Sequence, residues 1–255
     1  MISLDQIKEL SNKYKIAESI VAREYFQILF LNELYSKSFA KDIVFKGGTC
    51  IRLIYGGERF SEDLDFTVNM SENIFSDKMK IFFTHLANTF PITVKEKDSI
   101  IGRTFLLTAE ITNFDTKLFV KLDFSFREDV LEPTKNIMMS DYPIITSNYI
   151  FALSKNEILA EKIRAIMTRE KLRDLYDLWI LQELGATIDL SLINKKLKYY
   201  NETFNKDAFI KRLASFKLED FITDLRPFVP YSQRDKLTQL FGFTKEYCLK
   251  SVGGI

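Results

Sequence analysis

Histidine is nearly absent from this 255-residue sequence, and cysteine is scarce. Because His85 is the one histidine, a histidine-based catalytic triad, a zinc site built on several histidines and general-base catalysis by histidine are all disfavoured. Cys50 and Cys248 are too few for a disulfide framework, and they lack the spacing of metal ligands. An enzyme of this composition works with carboxylates, lysines and hydroxyl groups, which favours magnesium held by oxygen ligands.

Long apolar runs are also missing. No run approaches the roughly 18 consecutive apolar residues that a membrane-spanning helix requires. The first six residues, MISLDQ, include an acid and lack the basic-then-apolar layout of a signal peptide. We therefore expect a protein of the reducing cytoplasm that has no membrane segment.

The chain has no large excess of charge of either sign, with a formal net charge of +1. The charge is unevenly distributed, however. The first 150 residues contain 18 Lys and Arg against 21 Asp and Glu, whereas the remainder contains 18 against 14. This pattern suits a metal-binding site beside a surface that binds a polyanion. A solvated surface without a partner explains so small an imbalance nearly as well.

Two kinds of periodicity divide the chain. Strand-like segments lie in the first half, at 43–45, 63–68, 92–94, 104–111 and 117–126, with helical segments before and between them. After Pro143 the spacing is helical, first over 154–168 and then over 171–183. Residues 131–148, which contain two prolines, are the best candidate for a linker. We predict an α+β protein, with a mixed-sheet domain at 1–145 and a helical-bundle domain at 146–255.

Two aspartates share one face of a predicted strand. Within residues 63–68, Asp63 and Asp65 point to one side, while Leu64 and Phe66 point to the other, into a core. Carboxylates about 7 Å apart along a strand repel each other unless a cation lies between them. Aspartate is depleted in strands, which favours a metal site over two unrelated acids on a solvated face.

A glycine pair precedes these acids by a short interval. In FKGGT, residues 45–49, Gly47 and Gly48 lie where a predicted strand leads into a helix, and 13 residues separate Thr49 from Asp63. Glycines at such a turn let backbone N–H groups approach an anion, and the helix N-terminus favours negative charge. The signal is weak by itself, because glycine pairs end many strands, and this is not a Walker A loop.

A third acid lies on a second amphipathic strand. In residues 118–126 alternate positions are apolar, and the opposite face presents Lys121 and Asp123. A carboxylate on a strand near Asp63 and Asp65 would complete a two-metal site, with Asp123 as bridging ligand or general base. Without the upstream pair, a surface acid paired with Lys121 would be the simpler interpretation.

Taken together, these motifs resemble the AbiEii/AbiGii abortive-infection toxin family of nucleotidyltransferases, toxins of type IV toxin–antitoxin systems within the DNA polymerase β-like superfamily. The similarity extends from about Phe45 to Leu181. It rests on stretches that occur in the family's order, namely KGGT at 46–49, RFSEDLDF at 59–66, KLD at 121–123, EILAEKIR at 157–164 and RDLYDLW at 173–179.

The resemblance implies a polymerase β-like catalytic domain in the first half and a nucleoside triphosphate substrate used with Mg²⁺ or Mn²⁺. It also implies transfer to an RNA acceptor such as the transfer RNA acceptor end, and neutralisation by an antitoxin encoded nearby. Carried over by position, Lys162 is the triphosphate-binding lysine and Asp174 a further active-site acid. The residues implied to line the nucleotide are Lys46, Gly47, Gly48, Thr49, Ser61, Lys162 and Asp174.

The helical half leaves two alternatives open. When the helical spacing of the predicted helix at 154–168 is continued by one residue, Lys162 and Arg169 lie on one face and can offer two cations to phosphates. Arg173 and Asp177 are spaced i, i+4, so a structural salt bridge is as plausible for Asp177 as an active-site role. The basic-aromatic stretch KKLKYY, residues 195–200, can bind RNA, although a solvated helix face is slightly favoured.

Three functions are compatible with these features. The leading hypothesis is a magnesium-dependent enzyme in which Asp63 and Asp65 hold metals, Asp123 bridges and deprotonates, and Lys162 binds the triphosphate. The second is a regulatory module that binds nucleotides without transfer, which would have no need of a general base. The third, an antitoxin-like or scaffolding role for the helical half, is weakened by the lack of a long heptad pattern.

Overall fold

The chain divides into two units in a computed structural model that describes residues 1–99, 102–114 and 116–253. The first unit comprises Met1–Gly56 and Phe60–Leu153. The second comprises Ser154–Ile255 together with the short segment Gly57–Arg59, which lies between the two parts of the first unit along the sequence. The boundary falls after Leu153, because residues 149–153 form a strand of the first unit.

The first unit contains the whole sheet. Its elements, in chain order, are α1 (Leu4–Tyr14), α2 (Glu18–Tyr35), β1 (Ile43–Lys46), α3 (Gly47–Tyr55), β2 (Asp63–Val68), α4 (Glu72–Thr89), β3 (Ile92–Lys97), β4 (Arg103–Ala109), β5 (Leu118–Ser125), β6 (Pro133–Ile137) and β7 (Tyr149–Leu153). A 3₁₀ turn at Ser38–Asp42 precedes β1. A capping box opens α1, where the Ser3 side chain accepts from the N–H of Gln6 and the Gln6 side chain accepts from the N–H of Ser3.

The seven strands form one mixed sheet in the order β3-β4-β5-β2-β1-β7-β6. Two neighbouring pairs are parallel, β2 with β5 and β1 with β7, and the other four are antiparallel. Between β2 and β5 the chain passes through α4 and the β3–β4 hairpin, so the two strands can run in the same direction. These two strands occupy the centre of the sheet, and they carry the predicted aspartates.

One face of the two central strands is a phenylalanine core. Phe66 on β2 and Phe124 on β5 are stacked, with ring centroids 4.8 Å apart and 10° between the ring planes. Phe75 of α4 lies 4.8 Å from Phe124, and Phe105 of β4 lies 5.9 Å from it. Because side chains alternate along a strand, burying these rings directs the intervening residues to the opposite face. The core therefore fixes the direction in which Asp65 and Asp123 point.

The second unit is helical. It contains α5 (Lys155–Thr168), α6 (Arg173–Glu183), α7 (Leu190–Lys198), α8 (Lys206–Ser215), α9 (Leu218–Leu225), α10 (Tyr231–Arg234) and α11 (Leu237–Gly253). Ser154 caps α5 by accepting from the N–H of Glu157. Nine of the 14 residues of α5 are buried, which makes it the central helix of this unit.

The predicted α+β class is confirmed, and the predicted strand at 63–68 has the bounds of β2. The predicted linker at 131–148 is wrong in part, since residues 133–137 form β6 and pair with β7. Pro133 begins this strand at the edge of the sheet, where a missing N–H removes no hydrogen bond from the ladder. The two prolines favoured a linker over a strand, because proline is uncommon inside strands. The sequence NFD at 113–115 predicts a hairpin turn between β4 and β5, and Asp115 of this turn lies outside the described residues.

The phenylalanine core predicts a large difference between the two faces of β5. Replacing Phe124, which is 1% exposed, by Ala should lower the free energy of unfolding by about 4 kcal/mol, because it removes a buried ring and leaves a cavity. Phe119 lies on the same strand with its side chain 45% exposed, so Phe119→Ala should cost less than about 1 kcal/mol. Urea unfolding of both variants measures the difference, and equal losses would contradict this description of the core.

Candidate active site

Four charged residues form a two-by-two array on the face of the sheet opposite the phenylalanine core. In the parallel register of β2 and β5, Asp63 lies beside Lys121 and Asp65 lies beside Asp123. Neighbouring strands are about 4.8 Å apart, so each pair is held at close range by the backbone itself. The structure therefore brings together three aspartates that are up to 60 residues apart in the sequence.

The carboxylate of Asp123 is engaged at both oxygens. The Thr104 hydroxyl of β4 donates to Oδ1 at 2.7 Å, and the Lys121 ammonium donates to Oδ2 at 2.5 Å. Thr104 is the residue beside Asp123 in the register of β4 and β5. The Asp123 carboxylate is thus oriented by Thr104 of the neighbouring strand β4 and by Lys121 of its own strand β5.

Negative charge accumulates at Asp63. Burial, followed by the neighbouring charge of Asp65, raises the pKa of Asp63 from 3.8 to about 6; Lys121 acts in the opposite direction, and Asp123 adds to the increase. Burial lowers the pKa of Lys121, but its hydrogen bond to Asp123 and the charges of Asp123, Asp63 and Asp65 outweigh this and raise it. A divalent cation bound here would relieve the repulsion that raises the pKa of Asp63.

Gly47 makes room for Asp65. The backbone of Gly47 has φ of +80°, and a Cβ placed on it would lie 2.3 Å from Oδ2 of Asp65. No other residue type fits there without moving the carboxylate. The glycine at the start of α3 is therefore needed both for its conformation and for the space that it leaves.

Lys46 extends from the same row of residues. It lies beside Asp65 in the register of β1 and β2, and its ammonium donates to Oε2 of Glu128 at 2.8 Å. Both side chains are largely buried, 10% and 2% exposed. Sequence analysis missed Glu128, which follows β5 in an irregular segment. No periodic pattern marks that position.

Thr49 and Ser61 hold the start of β2. The Thr49 hydroxyl donates to the backbone carbonyl of Asp63 at 2.5 Å, and Thr49 is 1% exposed. The side-chain amide of Gln27 on α2 donates to the carbonyl oxygens of Ser61 and Glu62, at 3.1 and 2.9 Å. The start of β2 is thereby fixed to α3, and the two residues before it are fixed to α2.

Lys162 and Asp174 meet in the second unit. The Lys162 ammonium lies 2.8 Å from Oδ1 of Asp174 and 2.6 Å from Oδ2 of Asp177, and Arg169 also donates to Asp174. Burial disfavours both charged carboxylates, but Lys162 and Arg169 hold the pKa of Asp174 well below its usual value. The pKa of Asp177 is likewise lowered, since Arg59 and Lys162 outweigh its burial.

Arg59 provides the main partner of Asp177. Its guanidinium forms two hydrogen bonds to the Asp177 carboxylate, both at 2.6 Å, and both residues are buried. The Asp177 carboxylate thus takes part in a structural salt bridge, one of the two alternatives left open, and its described partners are Arg59 and Lys162. Arg173 places its guanidinium 4.9 Å from the centroid of the Phe228 ring.

The basic stretch at 195–200 is not a uniform solvated surface. The side chain of Lys196 is fully buried, with its ammonium 2.5 Å from Glu157 and 3.3 Å from Glu161 of α5. Tyr200 has the guanidinium of Arg164 4.5 Å from its ring centroid. The favoured interpretation of these lysines as a solvated helix face is wrong for Lys196, because sequence spacing alone did not reveal its two buried acidic partners.

The oxygen donors of the array fit a hard divalent cation such as Mg²⁺. Across residues 1–99, 102–114 and 116–253, however, no group of three or more histidine, cysteine, aspartate and glutamate side chains already surrounds a common point. Mg²⁺ usually takes only one or two protein carboxylates and completes its shell with water and substrate phosphates, so it does not require such a group. The Lys121 ammonium occupies one oxygen of Asp123.

The mixed sheet aligns aspartates on adjacent central strands, beside a glycine turn that opens a helix, and this arrangement is compatible with a nucleotidyltransferase. The chain belongs to the AbiEii family: the family model described as "Nucleotidyl transferase AbiEii toxin, Type IV TA system" matches residues 29–239. It is therefore a nucleotidyltransferase toxin of a type IV toxin–antitoxin system, a family that implies a nucleoside triphosphate substrate and an antitoxin. This assignment supports the enzyme over the regulatory module.

Individual proteins are also similar to this chain, one in sequence and two in fold. An Aquifex aeolicus protein called "Uncharacterized protein aq_aa25" is 28% identical over 203 residues, which cover 78% of this chain and 86% of that protein. MenT4, the nucleotidyltransferase toxin Rv2826c of Mycobacterium tuberculosis H37Rv, has a similar fold, with a TM-score of 0.67 at 20% identity over 99% of this chain and 94% of that chain. JHP933 of Helicobacter pylori also has a similar fold, with a TM-score of 0.53 at 21% identity over 94% of this chain and 95% of that chain.

In the part of the chain that the structure describes, no helix combines the length and apolar character needed to cross a membrane.

The contact between Gly47 and Asp65 predicts a specific effect of one methyl group. Gly47→Ala should destabilise the protein by more than the roughly 1–2 kcal/mol that a left-handed backbone costs an L-residue, because the added Cβ must also displace the Asp65 carboxylate. Gly56 is a matched control, since its φ is +81° and a Cβ there would have no neighbour within 4 Å. Thermal unfolding of both variants separates strain from contact. Equal destabilisation would rule out the steric role of Asp65.

Proposed function

We propose that this toxin transfers a nucleotidyl group from a nucleoside triphosphate to an RNA acceptor, such as the acceptor end of a transfer RNA, with the help of Mg²⁺ or Mn²⁺. The observation that supports this most is the in-register pair of Asp65 and Asp123 on neighbouring parallel strands, with Asp63 on the same face. A row of carboxylates beside a helix-opening glycine turn suits a triphosphate and its divalent cation.

In this proposal the acceptor hydroxyl oxygen attacks the α-phosphorus in line with the leaving group. The new bond joins the acceptor oxygen to the α-phosphorus, the bond from the α-phosphorus to the bridging oxygen breaks, and pyrophosphate leaves with the electron pair. Asp123, which lies between Asp65 and Thr104 in the strand register, accepts the acceptor's proton. When bound, the divalent cations neutralise charge on the phosphates and lower the pKa of the attacking hydroxyl.

The position of residues 46–49 and Ser61 around the array supports the proposed nucleotide-binding role of these residues. Backbone N–H groups of Gly47 and Gly48 at the start of α3 can bind phosphate oxygens, with the helix dipole favouring negative charge. Lys46 contributes positive charge next to Asp65. Thr49 and Ser61 act by holding β2 in position, as their contacts with Asp63 and Gln27 suggest.

Lys162 is the proposed triphosphate-binding lysine of the second unit, and Asp174 keeps it in position. The cluster of Arg59, Lys162, Arg169, Asp174 and Asp177 contains three cations and two carboxylates. Its net positive charge suits a polyanionic ligand. Arg169 is its most solvent-accessible member, with a side chain 47% exposed.

The proposed transfer predicts that one charge separates activity from stability. Asp65→Asn keeps the size of the side chain and one oxygen acceptor but removes the negative charge that a divalent cation needs, so transfer should fall by at least about 100-fold. Relief of repulsion with Asp63 should leave the melting temperature unchanged or slightly higher. The assay incubates the protein with each α-labelled nucleoside triphosphate, Mg²⁺ and total RNA.

Labelled RNA from the wild type and none from Asp65→Asn, at equal melting temperature, is the expected result. Induced expression of the wild type should also slow bacterial growth, while the variant should not. A variant that still labels RNA would refute the metal role of Asp65, and loss of activity through melting would assign it a structural role. Asp77→Asn, an acid on α4 well away from β2 in sequence, is the matched control and should retain activity.

The role of Lys162 predicts a difference between two buried lysines. Lys162 and Lys196 are both buried in the second unit, and each pairs with two carboxylates. Replacing either by Ala should destabilise the protein by about 3 kcal/mol, because it leaves buried acids without their cation. Only Lys162→Ala should weaken nucleoside triphosphate binding, by roughly tenfold or more, as measured by calorimetric titration at a temperature where both variants are folded. Equal affinities would remove Lys162 from the nucleotide site.

A further inference from the structure

Lys121 has a position in the array that no proposed catalytic role explains. It lies beside Asp63 in the register of β2 and β5, and two residues before Asp123 on the same face of β5. Its ammonium is 2.5 Å from Oδ2 of Asp123, and its side chain is 48% exposed. A single lysine is thus in register with one predicted metal ligand and hydrogen-bonded to another.

The array has three negative charges and one positive charge within two adjacent strands. At a separation of about 5 Å, like charges repel substantially unless a cation intervenes. The Lys121 ammonium supplies such a cation from within the chain. It occupies the Oδ2 side of Asp123, and that oxygen is the one that the hydrogen bond from Thr104 leaves available.

We propose that Lys121 is an internal substitute for the divalent cation, and that the two compete for the Asp123 carboxylate. This inference rests on the proposed metal-dependent function. The lysine lets the acidic array fold and persist when no metal is bound, and a divalent cation must displace its ammonium from Asp123. Lys121 therefore stabilises the metal-free protein and weakens metal affinity, so it is a positioning residue that acts through Asp123.

Two properties follow from this competition. Removing the charge of Lys121 should tighten binding of a divalent cation, by about tenfold for a unit charge at this range in a partly solvated site. It should also lower the melting temperature without metal, because Asp63 and Asp123 then lose the cation that lies beside them. Arginine at this position keeps the positive charge and should preserve both properties.

The test measures Mn²⁺ binding to the full chain, without nucleotide, by electron paramagnetic resonance of free Mn²⁺. Lys121→Gln is compared with the wild type, with Lys121→Arg and with Lys117→Gln. Lys117 directly precedes β5, is 68% exposed and pairs with Glu110, so it controls for the loss of a lysine charge nearby. Melting temperatures are recorded with and without Mn²⁺ for each protein.

The expected result is Mn²⁺ affinity about tenfold higher for Lys121→Gln and near the wild-type value for Lys121→Arg and Lys117→Gln. Mn²⁺ should also raise the melting temperature of Lys121→Gln more than that of the wild type. If Lys121→Gln is unfolded without metal, Mn²⁺ should restore folding, and failure to do so would overturn the proposal.

Equal or weaker Mn²⁺ affinity in Lys121→Gln, with clear binding by the wild type, would overturn the role of Lys121 alone. No Mn²⁺ binding by either protein, even at millimolar concentration, would overturn the metal site and this inference with it. The two failures are thus distinguishable.

Discussion

The parallel, in-register pairing of β2 with β5 is the constraint on which the rest of this protein depends. It places Asp65 directly beside Asp123 and leaves their mutual repulsion as a permanent cost of the fold. The stacked rings of Phe66 and Phe124 on the other face hold the register, because a shift by one residue would bury carboxylates and expose the rings. The same alternation that builds the core therefore also builds the site.

Several neighbours adapt to this charged row, and each does so by different chemistry. Gly47 leaves space for one carboxylate, while Lys121 supplies charge to another. Lys46 adds a second cation at the edge of the row, stabilised by Glu128. The second unit uses a separate arrangement, in which Lys162 is buried between two carboxylates rather than exposed. Closely spaced like charges and buried ion pairs of this kind are expected where a metal and a polyanionic substrate have to bind.

The features that sequence analysis predicted well are those with a short period. Alternation along β2 and β5 identified both strands and the face that carries Asp65, and helical spacing identified α5. The features it missed depend on contacts between distant positions. Glu128 lies in an irregular segment and meets Lys46 from 82 residues away, and the buried partners of Lys196 lie on another helix. No local pattern encodes such pairs. For the same reason the sequence does not establish that β2 pairs with β5, and the structure is needed to show it.

The most direct test of the account is to locate the metal. Crystals of the protein grown with Mn²⁺ and a nucleoside triphosphate that has a non-hydrolysable α,β-bridge would be measured at the manganese absorption edge. The account predicts anomalous peaks on the array, at coordination distance from carboxylate oxygens of Asp65 and Asp123, with the Lys121 ammonium displaced from Asp123. Manganese bound only to the phosphates, or ordered elsewhere with Lys121 still paired to Asp123, would contradict it.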